Sequence, residues 1–301
     1  MKTTMKTTIS TLIACAIFVA APAQASLEAQ MYVITDWSAE CSGDNVSHWD
    51  NMIDEWYDKM GDKGTYSKDR RKVNGNFDRD LLCDPDTGLT NCNDGAYLDD
   101  GDAVMLGLHG TDSGDRWRGK LRRDGGSSVS DCYIDAPDGS GTDEEFRVGD
   151  LDTEYLHLSS CNSADDDNIP DMWRIFYDPV DTPRNGRRLH ILTAFHGVMA
   201  IGSSFDADYR RFARDAHSGS IGDSWMDHMY TENISYLGES GRHDQCPVAY
   251  SVGASSSACL DRLDEEGYRN RRSDPTAINN YCYAYFEGCD PLNDGPFTPP
   301  S

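Results

Sequence analysis

Apolar residues in this chain come in short runs separated by long polar stretches. Gln30 to Asp36 (QMYVITD) reads as a short buried strand. Behind it Val46, Trp49, Ile53, Trp56 and Met60 recur at helical spacing, which predicts a helix with one apolar face. Asp44 or Asn45 would cap that helix and Gly61 would end it. Residues 63–102 are rich in Gly, Asp and Asn and are expected to form a long excursion. AVMLGLHG, residues 103–110, is then an apolar run of strand length that stops at a His-Gly pair. A second polar stretch, 111–150, leads to YLHLSS, residues 155–160, which stops at Cys161. DMWRIFY (171–177) predicts a short helix and LHILTAF (189–195) a further buried strand. Helical patterns follow over 204–216 and 222–237, and strand patterns over 248–252 and 281–286. Strands alternating with helices predict an α/β layer structure with a mostly parallel sheet. One domain over 26–290 with loop excursions is expected, followed by a disordered tail over 291–301.

The first 25 residues have lysines at 2 and 6, an apolar run from Leu12 to Ala21 and a small-x-small Ala23-Gln24-Ala25. That pattern predicts a cleavable secretory signal, so a secreted or periplasmic product is expected. Lipidation at Cys15 is the weaker alternative, because most of the apolar run follows that cysteine. No later segment approaches the roughly 20 apolar residues of a membrane-spanning helix, so no membrane insertion is expected.

Charge narrows the partners. The chain has 52 acidic and 27 basic residues, a formal net charge of -25. Such a chain repels nucleic acid and anionic membrane.

Ten cysteines occur, and nine remain after residue 25: Cys41, Cys83, Cys92, Cys132, Cys161, Cys246, Cys259, Cys282 and Cys289. An oxidising compartment favours pairing, yet an odd number leaves one thiol over. Closing short loops costs the least entropy. On that ground Cys83–Cys92, Cys246–Cys259 and Cys282–Cys289 are the expected local bridges, leaving Cys41 with Cys132 and Cys161 free.

Ligands and catalytic groups collect beyond the carboxyl ends of parallel strands. His109 and Cys161 each follow an apolar run in that position. An imidazole beside a thiol can lower the thiol pKa and return the proton to a leaving amine. Gly110, lacking a Cβ, can offer its N–H to an oxyanion together with the N–H of Cys161. A strand ending in His-Gly (VMLGLHG), then one ending in a small residue and Cys (LHLSSC), resembles the caspase, legumain, gingipain and clostripain clan of cysteine peptidases. The strand LHILTAF, which also leads into His-Gly, is similar to one in uncharacterised secreted bacterial proteins with that core. The resemblance implies a three-layer caspase-like sandwich with long disulfide-bearing loops. It also implies catalytic roles for His109 as acid or base, Gly110 as oxyanion donor and Cys161 as nucleophile. The sequence departs from the caspase pattern at Ser160, where caspases have Ala, and at Ser163, where they have Gly.

Other residues compete for these roles. His196 also ends an apolar run before Gly and ranks second as a base, because it follows the cysteine in sequence. His157 alternates within a strand and reads as a packed histidine. Asp84-Pro-Asp86-Thr-Gly88, Asn91 to Asp94 and Asp165-Asp166-Asp167 could supply oxygens to a structural calcium ion, although none fits an EF-hand loop. No Gly-x-Ser-x-Gly elbow, C-x-x-C pair after residue 25, or HExxH motif occurs. Asp206, Asp208 or Asp223 in a specificity pocket would favour Arg or Lys in the substrate.

Together these features predict a secreted cysteine endopeptidase that cleaves peptide or protein substrates through a thioester and requires no cofactor. A non-catalytic exported binding module on the same fold is the alternative.

Overall fold

A computed structural model describes residues 26–38, 40–75, 77–85, 91–114, 116–123, 132–137, 146–176, 189–236 and 239–297. The predicted signal, Cys15 included, lies outside them. Among the described residues no helix is long and apolar enough to cross a membrane.

The runs that stop at His109, Cys161 and His196 become β3 (Ala103–Gly107), β7 (Tyr155–Ser159) and β8 (Ile191–His196). Every residue of the three is buried, the condition of parallel strands covered on both faces. With β1 (Leu27–Val33) and β2 (Tyr66–Val73) they form a parallel set in the order β2-β1-β3-β7-β8. β10 (His243–Gly253) joins β8 antiparallel, and β11 (Asn280–Ala284) and the short β9 (Thr231–Ile234) pair with β10. The fold is therefore mixed α/β with a mostly parallel central sheet.

The helix α1 (Trp49–Asp62) buries Trp49, Met52, Ile53, Trp56, Tyr57 and Met60 along one face. Truncating a fully buried side chain such as Trp56 to alanine costs about 3–5 kcal/mol. The helix starts later than its apolar spacing suggested, because Val46 belongs to the run-in and donates its N–H to the Thr35 carbonyl. Neither predicted cap acts there. Asn45 instead accepts from the Trp37 N–H, and the Asp44 carbonyl accepts from His109. Gly61 sits inside the last turn. Helices α3 (Asp206–Ala216), α4 (Ile221–Met229) and α5 (Ser256–Glu265) continue from α1 as one row on the sheet, each against the next. The short α2 (Ile169–Met172) runs into a 3₁₀ turn, as DMWRIFY predicted.

Several expectations change. The excursion over 63–102 contains β2, whose sequence YSKDRRKV is polar because it is an edge strand with only Tyr66 buried. The stretch after His109 holds a three-stranded antiparallel sheet of β4 (Gly110–Asp112), β5 (Trp117–Lys120) and β6 (Tyr133–Asp135). The second late helix stops at Met229, where the chain leaves to pair as β9. Residues 291–297, expected as part of a disordered tail, pack against the end of β8, with Phe297 buried beside His196 and Tyr285. Residues 298–301 lie outside the described residues.

Four disulfides are present: Cys41–Cys132, Cys83–Cys92, Cys246–Cys289 and Cys259–Cys282. The first two match expectation. The last two replace Cys246–Cys259 and Cys282–Cys289, because antiparallel pairing of β10 with β11 folds the C-terminal segment back over the sheet. Cys282 then faces α5, which carries Cys259, while Cys289 returns to the start of β10. Their number fits an oxidising compartment.

Candidate active site

β3 and β7 are adjacent and run in register from Ala103 opposite Tyr155 to Gly107 opposite Ser159. His109 and Cys161 each lie two residues beyond that last pair, at the carboxyl ends where ligands collect. β8 flanks β7 on its other side. The turn after Cys161 is fastened to it, with Asn162 N–H donating to the Gly197 carbonyl at 2.7 Å and Ala164 N–H to the Phe195 carbonyl at 2.9 Å.

The His109 ring lies over Trp37, centroids 4.2 Å apart, with Trp49 edge-on at 5.9 Å. Its Nε2 is 2.8 Å from the Asp44 carbonyl oxygen. A carbonyl can only accept, so Nε2 carries the hydrogen and Nδ1 keeps the lone pair in the neutral ring. Burial pulls the His109 pKa below its ordinary value, outweighing the Asp44 carbonyl that raises it. His109 and Gly110 line a cleft of about 650 Å³ together with Ser42, Gly43, Asp44, Thr111, Lys120 and Tyr133.

Gly110 is tied to the cysteine by contact. A β-carbon there would lie 2.0 Å from the Cys161 carbonyl oxygen, 2.4 Å from Ser160 Oγ and 2.5 Å from Trp117 Nε1. The missing Cβ thus makes room for the neighbouring strand end. Ser160 is fully buried and accepts from the Trp117 indole at 3.2 Å, while Ser163 Oγ donates to the Ser160 carbonyl at 2.7 Å. Both departures from the caspase pattern are therefore hydroxyls that brace the cysteine turn.

Cys161 is the free cysteine among the described residues and is half-buried. Its sulfur is enclosed, and this desolvation pushes the thiol up to about 11 against a lesser lowering by the Met199 backbone. No hydrogen bond joins His109 to Cys161, so no imidazole contact offsets that burial. With the thiol raised and the imidazole lowered, both groups are neutral near pH 7.

His157 is a packed histidine, as its alternation suggested. Its two nitrogens meet Thr193 Oγ1 at 2.8 Å and Tyr268 OH at 2.7 Å, and burial drives its pKa down to about 3. His196 is fully buried at the end of β8, with Nε2 3.0 Å from the Gly295 carbonyl and Nδ1 facing Asp294, Asp166 and Asp165. His196 is not among the residues that line the His109 cleft. Burial pushes Asp165 up to about 7, outweighing the Gly197 N–H that lowers it. Two of the three Asp-rich pieces therefore join carboxyl clusters, the other being Asp94 with buried Asp99 and Asp150. Asp86 to Gly88 lie outside the described residues.

Asp206, Asp208 and Asp223 do not line the His109 cleft. Asp206 pairs with His48 at 2.8 Å and Asp208 with Arg211, on α3, so none of the three is placed in that cleft to favour a basic substrate side chain. Trp37, Asp44 and Asp294 were not anticipated. Trp37 follows a readable strand, whereas nothing in the Pro- and Gly-rich C-terminal segment marks Asp294.

The family model described as a domain of unknown function, DUF6345, matches residues 34–240. That span takes in His109, Gly110, Cys161 and His196 and stops before β10. No curated protein matches the chain. Since more than half of it is covered, the chain belongs to the DUF6345 family.

Proposed function

We propose that this protein is a secreted cysteine peptidase on a caspase-like three-layer fold, with Cys161 as nucleophile and His109 as proton carrier. The observation that carries this reading is the register of β3 and β7, which sets the two residues at equal distances beyond neighbouring parallel strands. The free state of Cys161, with the other eight cysteines after residue 25 bridged, supports it.

In the resting enzyme thiol and imidazole are neutral. Asp44 fixes the His109 tautomer through its carbonyl, the third member of a nucleophile–base–orienter arrangement. With a peptide bound, the Cys161 proton passes to His109 Nδ1 as sulfur attacks the carbonyl carbon. The oxyanion is held by the N–H groups of Gly110 and Cys161. His109 then protonates the leaving amine, and water hydrolyses the thioester. No cofactor enters these steps.

The binding-module reading is favoured by one observation, the absence of a hydrogen bond between His109 and Cys161. Turnover of a fluorogenic peptide library separates the two. The peptidase reading expects turnover that falls at least about 100-fold in both Cys161→Ser and His109→Ala. A folded protein that cleaves no member of the library would leave the binding module, and variants as active as the parent would rule out the His109–Cys161 dyad.

A further inference from the structure

At the end of β8, His196 is fully buried, and its Nε2–H is spoken for by the Gly295 carbonyl. The lone pair of the neutral ring therefore sits on Nδ1, which points into carboxylates: Asp294 Oδ2 at 2.8 Å, Asp166 Oδ1 at 3.7 Å and Asp165 Oδ1 at 3.9 Å. Nδ1 has no hydrogen bond of acceptable angle, and neither has the Asp294 oxygen nearest to it. A lone pair against carboxylate oxygens is repulsive unless something positive stands between them. Among the described residues the only basic partner of Asp165 and Asp294 is His196 itself. Even as an imidazolium it balances only one carboxylate of the Asp165 and Asp294 pair, and leaving the other charged in a largely buried place is costly.

We propose that Asp165, His196 and Asp294 form a binding site for a divalent transition cation of the zinc type. Their ligand atoms all lie within 4.8 Å of one another, and bonds of about 2.0–2.2 Å to nitrogen and oxygen set such atoms about 3–4 Å apart. The other ring nitrogen is also placed as in a metal site: the histidine gives its Nε2–H to the Gly295 backbone carbonyl, which fixes its tautomer. An imidazole among the donors selects zinc over calcium, whose sites are built of oxygens. The other carboxyl cluster, Asp94 with Asp99 and Asp150, offers oxygens alone.

The three ligands come from distant parts of the chain. Asp165 belongs to the turn after Cys161, His196 ends β8, and Asp294 lies in the C-terminal segment. The cation cross-links them and anchors that segment to the Cys161 turn. This role is independent of whether Cys161 turns over substrate.

The test uses the disulfide-intact Cys161→Ser protein, so that no free thiol binds metal. It is stripped with a chelator, dialysed against zinc chloride or calcium chloride and assayed for bound metal. One equivalent of zinc is expected, with a melting temperature that rises with zinc concentration. Adding Asp294→Asn, a half-buried and nearly isosteric change, or His196→Ala should weaken zinc at least about tenfold and abolish the zinc-dependent rise. Circular dichroism shows whether each variant is folded, and Asp294→Asn decides the matter if His196→Ala is not. Zinc absent from the parent, or retained equally by Asp294→Asn, overturns the proposal. So does calcium that Asp294→Asn loses and zinc does not displace.

Discussion

Gly110 and Cys161 touch through their backbones, with the Cys161 carbonyl oxygen 2.0 Å from where a β-carbon on Gly110 would stand. The His-Gly pair and the cysteine are consequently parts of one packed unit. A methyl group at 110 meets backbone, which cannot rotate away. Gly110→Ala is expected to destabilise the fold by about 1–3 kcal/mol, the range for overpacking, and to displace the Cys161 turn. Gly202 has nothing within 4 Å of its own β-carbon position, so Gly202→Ala should stay within about 0.5 kcal/mol of the parent. Denaturant titration of the two variants checks this, and equal stabilities would contradict it.

The enclosed thiol has a consequence for reactivity. With Cys161 pushed up to about 11, its thiolate fraction at pH 7 is on the order of 10⁻⁴, against a few per cent for an ordinary cysteine. Iodoacetamide should therefore alkylate the substrate-free protein slowly near neutrality. The rate should climb about tenfold per pH unit toward pH 11. A rate that levels off near pH 7 would mean that the thiol is already ionised at rest.

His157 makes stability sensitive to acid. Its folded pKa is near 3 against an ordinary 6.5, so the unfolded chain takes up a proton between these values and the folded chain does not. Stability is full above about pH 6.5 and falls as pH drops toward 3, by at most about 1.4 kcal/mol per pH unit from this group. His157→Gln, which does not titrate, should be less stable at pH 8 yet show a shallower acid decline. Parallel declines in parent and variant would rule out His157 as the source.

The site was legible in the sequence where burial left a mark. β3, β7 and β8 are covered on both faces, so each reads as a continuous apolar run, and the first polar residue after each run is one of the site histidines or stands beside Cys161. β2 was illegible for the opposite reason: an edge strand needs little apolar surface, and YSKDRRKV looks like loop. α5 was missed because SSACLDRLDE is short and polar, although Ser255 does cap it by accepting the Ala258 N–H. The C-terminal disulfides, and the approach of Gly295 to His196 across 99 positions, depend on chain return through β10 and β11, which no local pattern records. The state of the Cys161 thiol is not legible in the sequence, because it depends on burial in the folded protein, a tertiary property.

The most direct test of the dyad is to label the unreduced protein with a mixture of peptidyl chloromethyl ketones and map the adduct by mass spectrometry. A single adduct on Cys161 is expected, formed much faster than with iodoacetamide and at least about 100-fold more slowly in His109→Ala. Recovery of Cys161 in a disulfide-linked peptide, or labelling at Cys161 that is indifferent to His109, would contradict it.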